Sequence, residues 1–215
     1  MRPVRRVLPV LFLLLASGCR GTAPAHYGDS RLGFGAVLVG ARLLLPTGES
    51  GAGDMRINLE SKAERYRLRL EPGETSLFRV EPDIYRLHPS RRLFGGIQRH
   101  LRVSIAGRTY RVPFPRDILR KEAVDVRPTK VVPIGVLEAR LLPIRRGRSP
   151  KIELRLDDSL EARRRLIEHV IAMQMDPDTP PRIRDSSISW VRALEQALIR
   201  IQGEQEAKPS YKPSQ

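Results

Sequence analysis

Residues 100–115 read HLRVSIAGRTYRVPFP. Leu101, Val103 and Ile105 alternate with polar neighbours, Gly107 marks a turn, and Tyr110, Val112 and Phe114 resume the alternation. Successive side chains on a strand point to opposite faces, so this period of two on both sides of a turn describes a β-hairpin with one buried face. The same signal recurs upstream in YRLRLEPGE (66–74). There Tyr66, Leu68 and Leu70 share one face, Arg65, Arg67 and Arg69 share the other, and Pro72 and Gly73 turn the chain.

Working outward, the segments 36–45, 55–59, 77–80, 84–87, 131–142 and 151–156 carry comparable strand patterns. Short strands broken by Gly and Pro, with no helical period between them, predict an antiparallel sandwich or barrel and argue against βαβ units. The predicted sandwich occupies residues 33–157.

One stretch of it, LFRVEPDIYRLHP (77–89), resembles the pG-x-Y-x-L turn and strand of transthyretin-like or carboxypeptidase-regulatory-like domains. Pro82 and Tyr85 match, Leu87 follows in the strand, and Asp83 stands where Gly is usual. The resemblance implies an Ig-like sandwich and no activity.

After Leu156 the period changes to 3.6. Asp158 with Glu161 has the pattern of a capping box, and Leu160, Leu166, Ile167, Val170, Ile171 and Met173 share one side of the helix that follows. The Pro-rich link DPDTPPRIRD (176–185) separates it from a second helix, Ser186 to about Gln202, whose stripe is Ile188, Val191, Leu194, Leu198 and Ile201. The expectation is a helical pair over 158–202 and a disordered tail over 203–215, where apolar residues are few.

The N-terminus supplies an address. In LPVLFLLLASGCRG (8–21) the apolar run is about ten residues, against roughly 20 for a membrane-spanning helix. Arg2, Arg5 and Arg6 precede it and Ala16, Ser17 and Gly18 follow it, which is the order of a secretory signal over residues 1–18. LASGC resembles the lipobox of bacterial lipoproteins, although Ala16 occupies the place where Leu is commoner and Leu15 lies one step earlier. The resemblance implies that Cys19 is lipidated and becomes the new N-terminus. The alternative is an ordinary signal peptide cut near Gly18. Arg20 is not the Asp that commonly retains such proteins in the inner membrane, so the resemblance favours an outer-membrane anchor facing the periplasm. Residues 19–32 read as a tether with a reach of roughly 40 Å. Cys19 is the only cysteine, so an internal disulfide is excluded.

The chain has 39 basic and 24 acidic residues. Removal of residues 1–18 takes away three arginines and leaves a net charge of about +12. An exported chain this basic meets lipid head groups, lipopolysaccharide phosphates and cell-wall polymers rather than nucleic acid. Arg65, Arg67 and Arg69, joined by Arg102 and Arg111 if their strands share one sheet, would make a face suited to phosphates. The competing reading is a solvated face with Arg as its polar filler.

Other candidates are weaker. His26, His88, His100 and His169 have no metal-ligand spacing, and no metal or other cofactor is expected. GFGAVLVG (33–40) reads as strand glycine, and Asp157 with Asp158 as capping groups rather than paired catalytic acids. Arg163 falls inside the apolar arc of its helix, which predicts either a bridge to Glu195 or a side chain reaching the rim. Trp190 and Met173, with Met175, are candidate partner-facing anchors. No catalytic motif is present. The expectation is therefore a non-catalytic adaptor subunit of an envelope assembly, anchored in the membrane and bound to a protein partner. The rivals are a binder of anionic lipid or polysaccharide through the arginine face, and an enzyme without a recognisable motif.

Overall fold

The computed structural model describes residues 23–24, 33–73, 77–89, 100–121, 123–143 and 151–207. Residues 1–18, which read as a secretory signal, and Cys19 lie outside them. Two sheets pack face to face, and a layer of helices covers the outer face of one of them.

The first sheet is built around β3 (Gly53–Glu60), which pairs along its length with β4 (Arg65–Leu70). On its other side β3 pairs with β7 (His100–Ile105) over Gly53–Arg56 and with β6 (Asp83–His88) over Asn58–Glu60. β8 (Arg108–Pro113) extends β7, and β9 (Val124–Val126) extends β6. All these pairs are antiparallel. At the opposite edge a two-residue strand, β1 (Ala23–Pro24), lies parallel to β4 at Tyr66–Arg67.

The second sheet has the order β11 (Ile152–Asp157), β10 (Val131–Leu141), β2 (Gly35–Leu44), β5 (Leu77–Val80). β2 pairs antiparallel with β5 and parallel with β10. Val37 and Val39 of β2 enter the core between the sheets, while Ala36 and Leu38 point to the helices. Burial on both faces explains why this strand reads as a continuous apolar run instead of alternating. Gly35 belongs to the same economy of space, since a Cβ there would lie 2.4 Å from the Arg127 carbonyl oxygen. β10 carries a bulge between Pro133 and Gly135, and Gly135 takes a φ of 138° that L side chains rarely adopt.

The hairpin quoted above closes on a tight turn in which Ala106 and Gly107 have φ of 49° and 74°. Two consecutive positive φ values mark the primed turn whose twist matches its strands. Inside the sandwich Tyr85 is fully buried, and its hydroxyl donates to the Glu81 carbonyl at 2.8 Å. Burial pushes this phenol well above its ordinary pKa. Tyr66, whose ring lies 6.0 Å away, accepts from the Glu81 N–H at 3.2 Å. The turn before Tyr85 is thus fixed by two tyrosines.

The helical region is more finely divided than the two-helix pattern. α1 (Arg116–Arg120) is a single turn between β8 and β9. Beyond β11 come α2 (Leu160–Met175), α3 (Pro181–Ile188) and α4 (Val191–Ala207). The N-cap of α2 is Ser159, not Asp158: its hydroxyl accepts from the Ala162 N–H at 3.2 Å, and Asp157 accepts from the Ser159 N–H at 3.1 Å. Asp158 is taken up by Lys121 and Arg163 instead. Ile167 and Val170 of α2 meet Leu194, Ala197 and Ile201 of α4 over the second sheet. α4 continues through Gly203 to Ala207, so residues 203–207 are helical and do not belong to the tail.

Candidate functional site

Strand register decides which side chains of the first sheet stand together. Arg56 is directly opposite Arg69 on one side and Arg102 on the other, and Arg102 is opposite Arg111. Arg69, Arg56, Arg102 and Arg111 therefore form a transverse row across four strands, with about 4.8 Å between neighbouring strands. The inward positions between them, among them Met55, Leu68, Leu70, Leu101, Val103 and Val112, are buried. The arginines occupy the alternate positions and face outward.

Two further rows lie beside the first. One is Arg67, Asn58 and His88; the other is Arg65, Glu60 and Arg86. All five arginines singled out in the sequence, Arg65, Arg67, Arg69, Arg102 and Arg111, stand on this one face. Arg56 and Arg86 were not singled out, although strict alternation through MRINLE and IYRLH puts both on the outward side. What alternation alone does not supply is the pairing of β7 with β3, which brings the two halves of the row together.

The acidic groups are unevenly placed. Asp54 Oδ2 accepts from Arg69 Nε at 2.9 Å and from Arg56 Nε at 3.2 Å, and Arg69 also reaches Glu71 at 2.8 Å. The Asp54 side chain is only 8% exposed. Burial alone raises its pKa, but hydrogen bonds from Arg56 and Ser104 and the charges of Arg56 and Arg69 outweigh burial and hold it below the usual carboxylate value. Arg65 pairs with Glu60 at 2.9 Å. By contrast, Arg67, Arg86, Arg102 and Arg111 have no acidic partner among the described residues, and all four are exposed. The pairing is confined to Arg56, Arg65 and Arg69 on β3 and β4, while Arg67 between them and Arg86, Arg102 and Arg111 on β6, β7 and β8 present open guanidinium groups.

Such a row has a cost, because like charges directly opposite on neighbouring strands repel. It also has a chemical use. Guanidinium is planar, permanently charged and able to donate two parallel hydrogen bonds to one phosphate or carboxylate. An anion lying along the row turns repulsion between Arg102 and Arg111 into shared attraction.

The other candidates settle elsewhere. Trp190 is 1% exposed and packs with Leu38, Val131, Ile167 and Leu194, so it is a core residue and not a partner-facing anchor. Its position explains this: it immediately precedes α4, where its carbonyl accepts from the Leu194 N–H and its ring is directed into the gap between helices and sheet. Met173 is half-buried, whereas Met175 is 84% exposed. Arg163 does not reach Glu195, which is exposed; it takes the rim position, 4.0 Å from Asp158. It lines a cleft of about 430 Å3 with Arg86, Lys121, Asp125 and Asp158, where Lys121 and Arg163 already share Asp158. Asp157 does not cap α2 itself but braces the residue that does: hydrogen bonds from Ser159 keep its pKa below the ordinary value. Among the described residues no group of His, Cys, Asp and Glu is arranged to hold a metal ion, and no helix is long and apolar enough to cross a membrane. Cys19 and His26 lie outside the described residues.

Comparison with protein-family models, with curated proteins and with solved structures finds no match to this chain.

Proposed function

We propose that this is an exported envelope protein, anchored by lipid at Cys19 on the outer membrane and facing the periplasm, that works by binding a phosphate-bearing anionic partner on its arginine face. The observation that carries the binding role is the row Arg69–Arg56–Arg102–Arg111. Polar filler is usually mixed in sign across a sheet, since opposite charges in register stabilise and like charges do not. Here Asp54 offsets the repulsion at one end, and the Arg102–Arg111 end is left open. Lipid head groups and lipopolysaccharide share the chemistry that this end recognises. The adaptor reading has less support, because Trp190, its expected anchor, is in the core.

The test is retention of the full-length protein, in neutral detergent, on immobilised lipopolysaccharide. Retention at low salt that weakens as salt rises is expected, and Arg102→Gln with Arg111→Gln weakens it by about tenfold or more. Equal retention of the variant, or retention indifferent to salt, contradicts the proposal. The anchor is tested separately by Cys19→Ser, which transfers the protein from membranes to the soluble fraction.

A further inference from the structure

We infer that the arginine face lies flat on the same bilayer that holds the chain's own N-terminus, so that its ligand is the layer of lipid phosphates around the anchor. The inference rests on the reading of Cys19 as lipidated and of the face as anion-binding. It adds where the anion comes from and how the domain is oriented.

The observation behind it is the short strand β1. Ala23 pairs with Tyr66 and Pro24 with Arg67, on the free edge of β4. A tether read from composition alone allows roughly 40 Å between anchor and domain, but a tether laid into the sheet at Ala23 leaves only four residues back to Cys19. At no more than 3.6 Å each they span about 14 Å. Because β1 runs parallel to β4, the chain arrives from the Arg65 end of that strand. A lipid on Cys19 is therefore limited to a reach of about 14 Å from the Tyr66 corner of the arginine face, about the distance that separates β4 from β8 across the sheet.

Charge then selects the orientation. Attraction to an anionic surface acts within a Debye length of about 8 Å at physiological ionic strength, and a tether this short keeps the face near that range. Arg67, Arg86, Arg102 and Arg111 are the open cations there. The far side of the molecule is the helical layer, where the sequences of α2, α3 and α4 carry seven arginines against six acidic residues, with Arg164 and Arg165 paired to Glu168 and Glu161, so that the layer is close to neutral. Turning the arginine face downward brings cations to phosphate; turning the helices downward does not.

The experiment uses the full-length lipidated protein reconstituted in vesicles. A spin label is placed at Thr109→Cys, exposed on the arginine face beside Ser104, or at Glu195→Cys on the helical layer. The readout is accessibility to a water-soluble nickel relaxant, in vesicles of phosphatidylcholine alone and in vesicles that also contain phosphatidylglycerol. The expected result is a several-fold loss of accessibility at Thr109 in the anionic vesicles, reversed by high salt, with the Glu195 label unchanged. Equal accessibility at Thr109 in both vesicles overturns the inference. If the same preparation nevertheless binds soluble polyphosphate, and Arg102→Gln with Arg111→Gln abolishes that binding, anion recognition stands and only the membrane placement falls. If polyphosphate is not bound either, both fall. Failure of the full-length chain to float with neutral vesicles removes the anchor and overturns the inference with it.

Discussion

The Asp54 carboxylate accepts a 2.9 Å hydrogen bond from Nε of Arg69, fifteen residues away on the neighbouring strand, and the same oxygen accepts from Arg56. One nearly buried acid thereby holds two arginines that face each other in register. Its replacement by Asn removes the charge that separates them. Asp54→Asn is expected to destabilise the fold by about 1–2 kcal/mol at neutral pH, measured by urea denaturation.

Acid should erase that difference. The Asp54 pKa is depressed in the folded state, so its contribution is fully present above the unfolded value of about 3.9 and is lost as pH falls through the folded value. Below pH 4 the denaturation midpoints of the wild-type protein and Asp54→Asn converge. A gap that stays constant from pH 7 to pH 3 contradicts the assignment of stability to this carboxylate.

Arg102 and Arg111 are expected to behave in the opposite way. Neither has an acidic partner among the described residues, and each faces the other. Arg102→Gln or Arg111→Gln leaves the stability within about 0.5 kcal/mol of wild type, or raises it, while anion binding falls. A large loss of stability in either variant shows that the side chain has a structural partner.

Ala106 occupies a conformation better suited to Asn or Gly. With φ at 49° its Cβ crowds the backbone, at a cost of roughly 1 kcal/mol. Ala106→Asn, next to Gly107, is expected to raise stability by about 0.5–1 kcal/mol, seen as a higher denaturation midpoint with an unchanged slope.

Trp190→Ala tests the helical layer. Removal of a fully buried indole between α2, α4 and the second sheet is expected to cost about 3–5 kcal/mol. Lipopolysaccharide retention of the fraction that remains folded stays unchanged, because the arginine face lies on the other sheet.

The alternation of apolar residues made most of the strands legible, including β7 and β8 with their turn, because each has one wet and one dry face. β9 was not legible: three residues are too few for a period to register. The N-terminus of α3 is hidden in the sequence because Pro181 falls in a Pro-rich stretch that has the composition of a linker, although proline at the first helical position has a missing N–H that needs no partner there. The site was half legible. Residues 65–69 announce an outward arginine stripe on their own strand, but the row it joins depends on which strands become neighbours, and periodicity carries no information about that. Asp54 was missed for the same reason, since its two arginines converge only after β3 and β4 pair.

The parallel contact of β2 with β10 also bears on how the chain acquires its shape. Ala36 is matched to Val131, so the central strand of the second sheet must wait for a partner ninety-five positions later. Closing a loop of that size precedes any gain from the contacts it makes, and chains dominated by distant pairings mature slowly. During that interval Ala36 and Leu38 lack the cover of the helices, which follow later still in the chain. On the proposal that the chain is exported, it depends on being kept from aggregating until residues 131–207 have crossed the membrane.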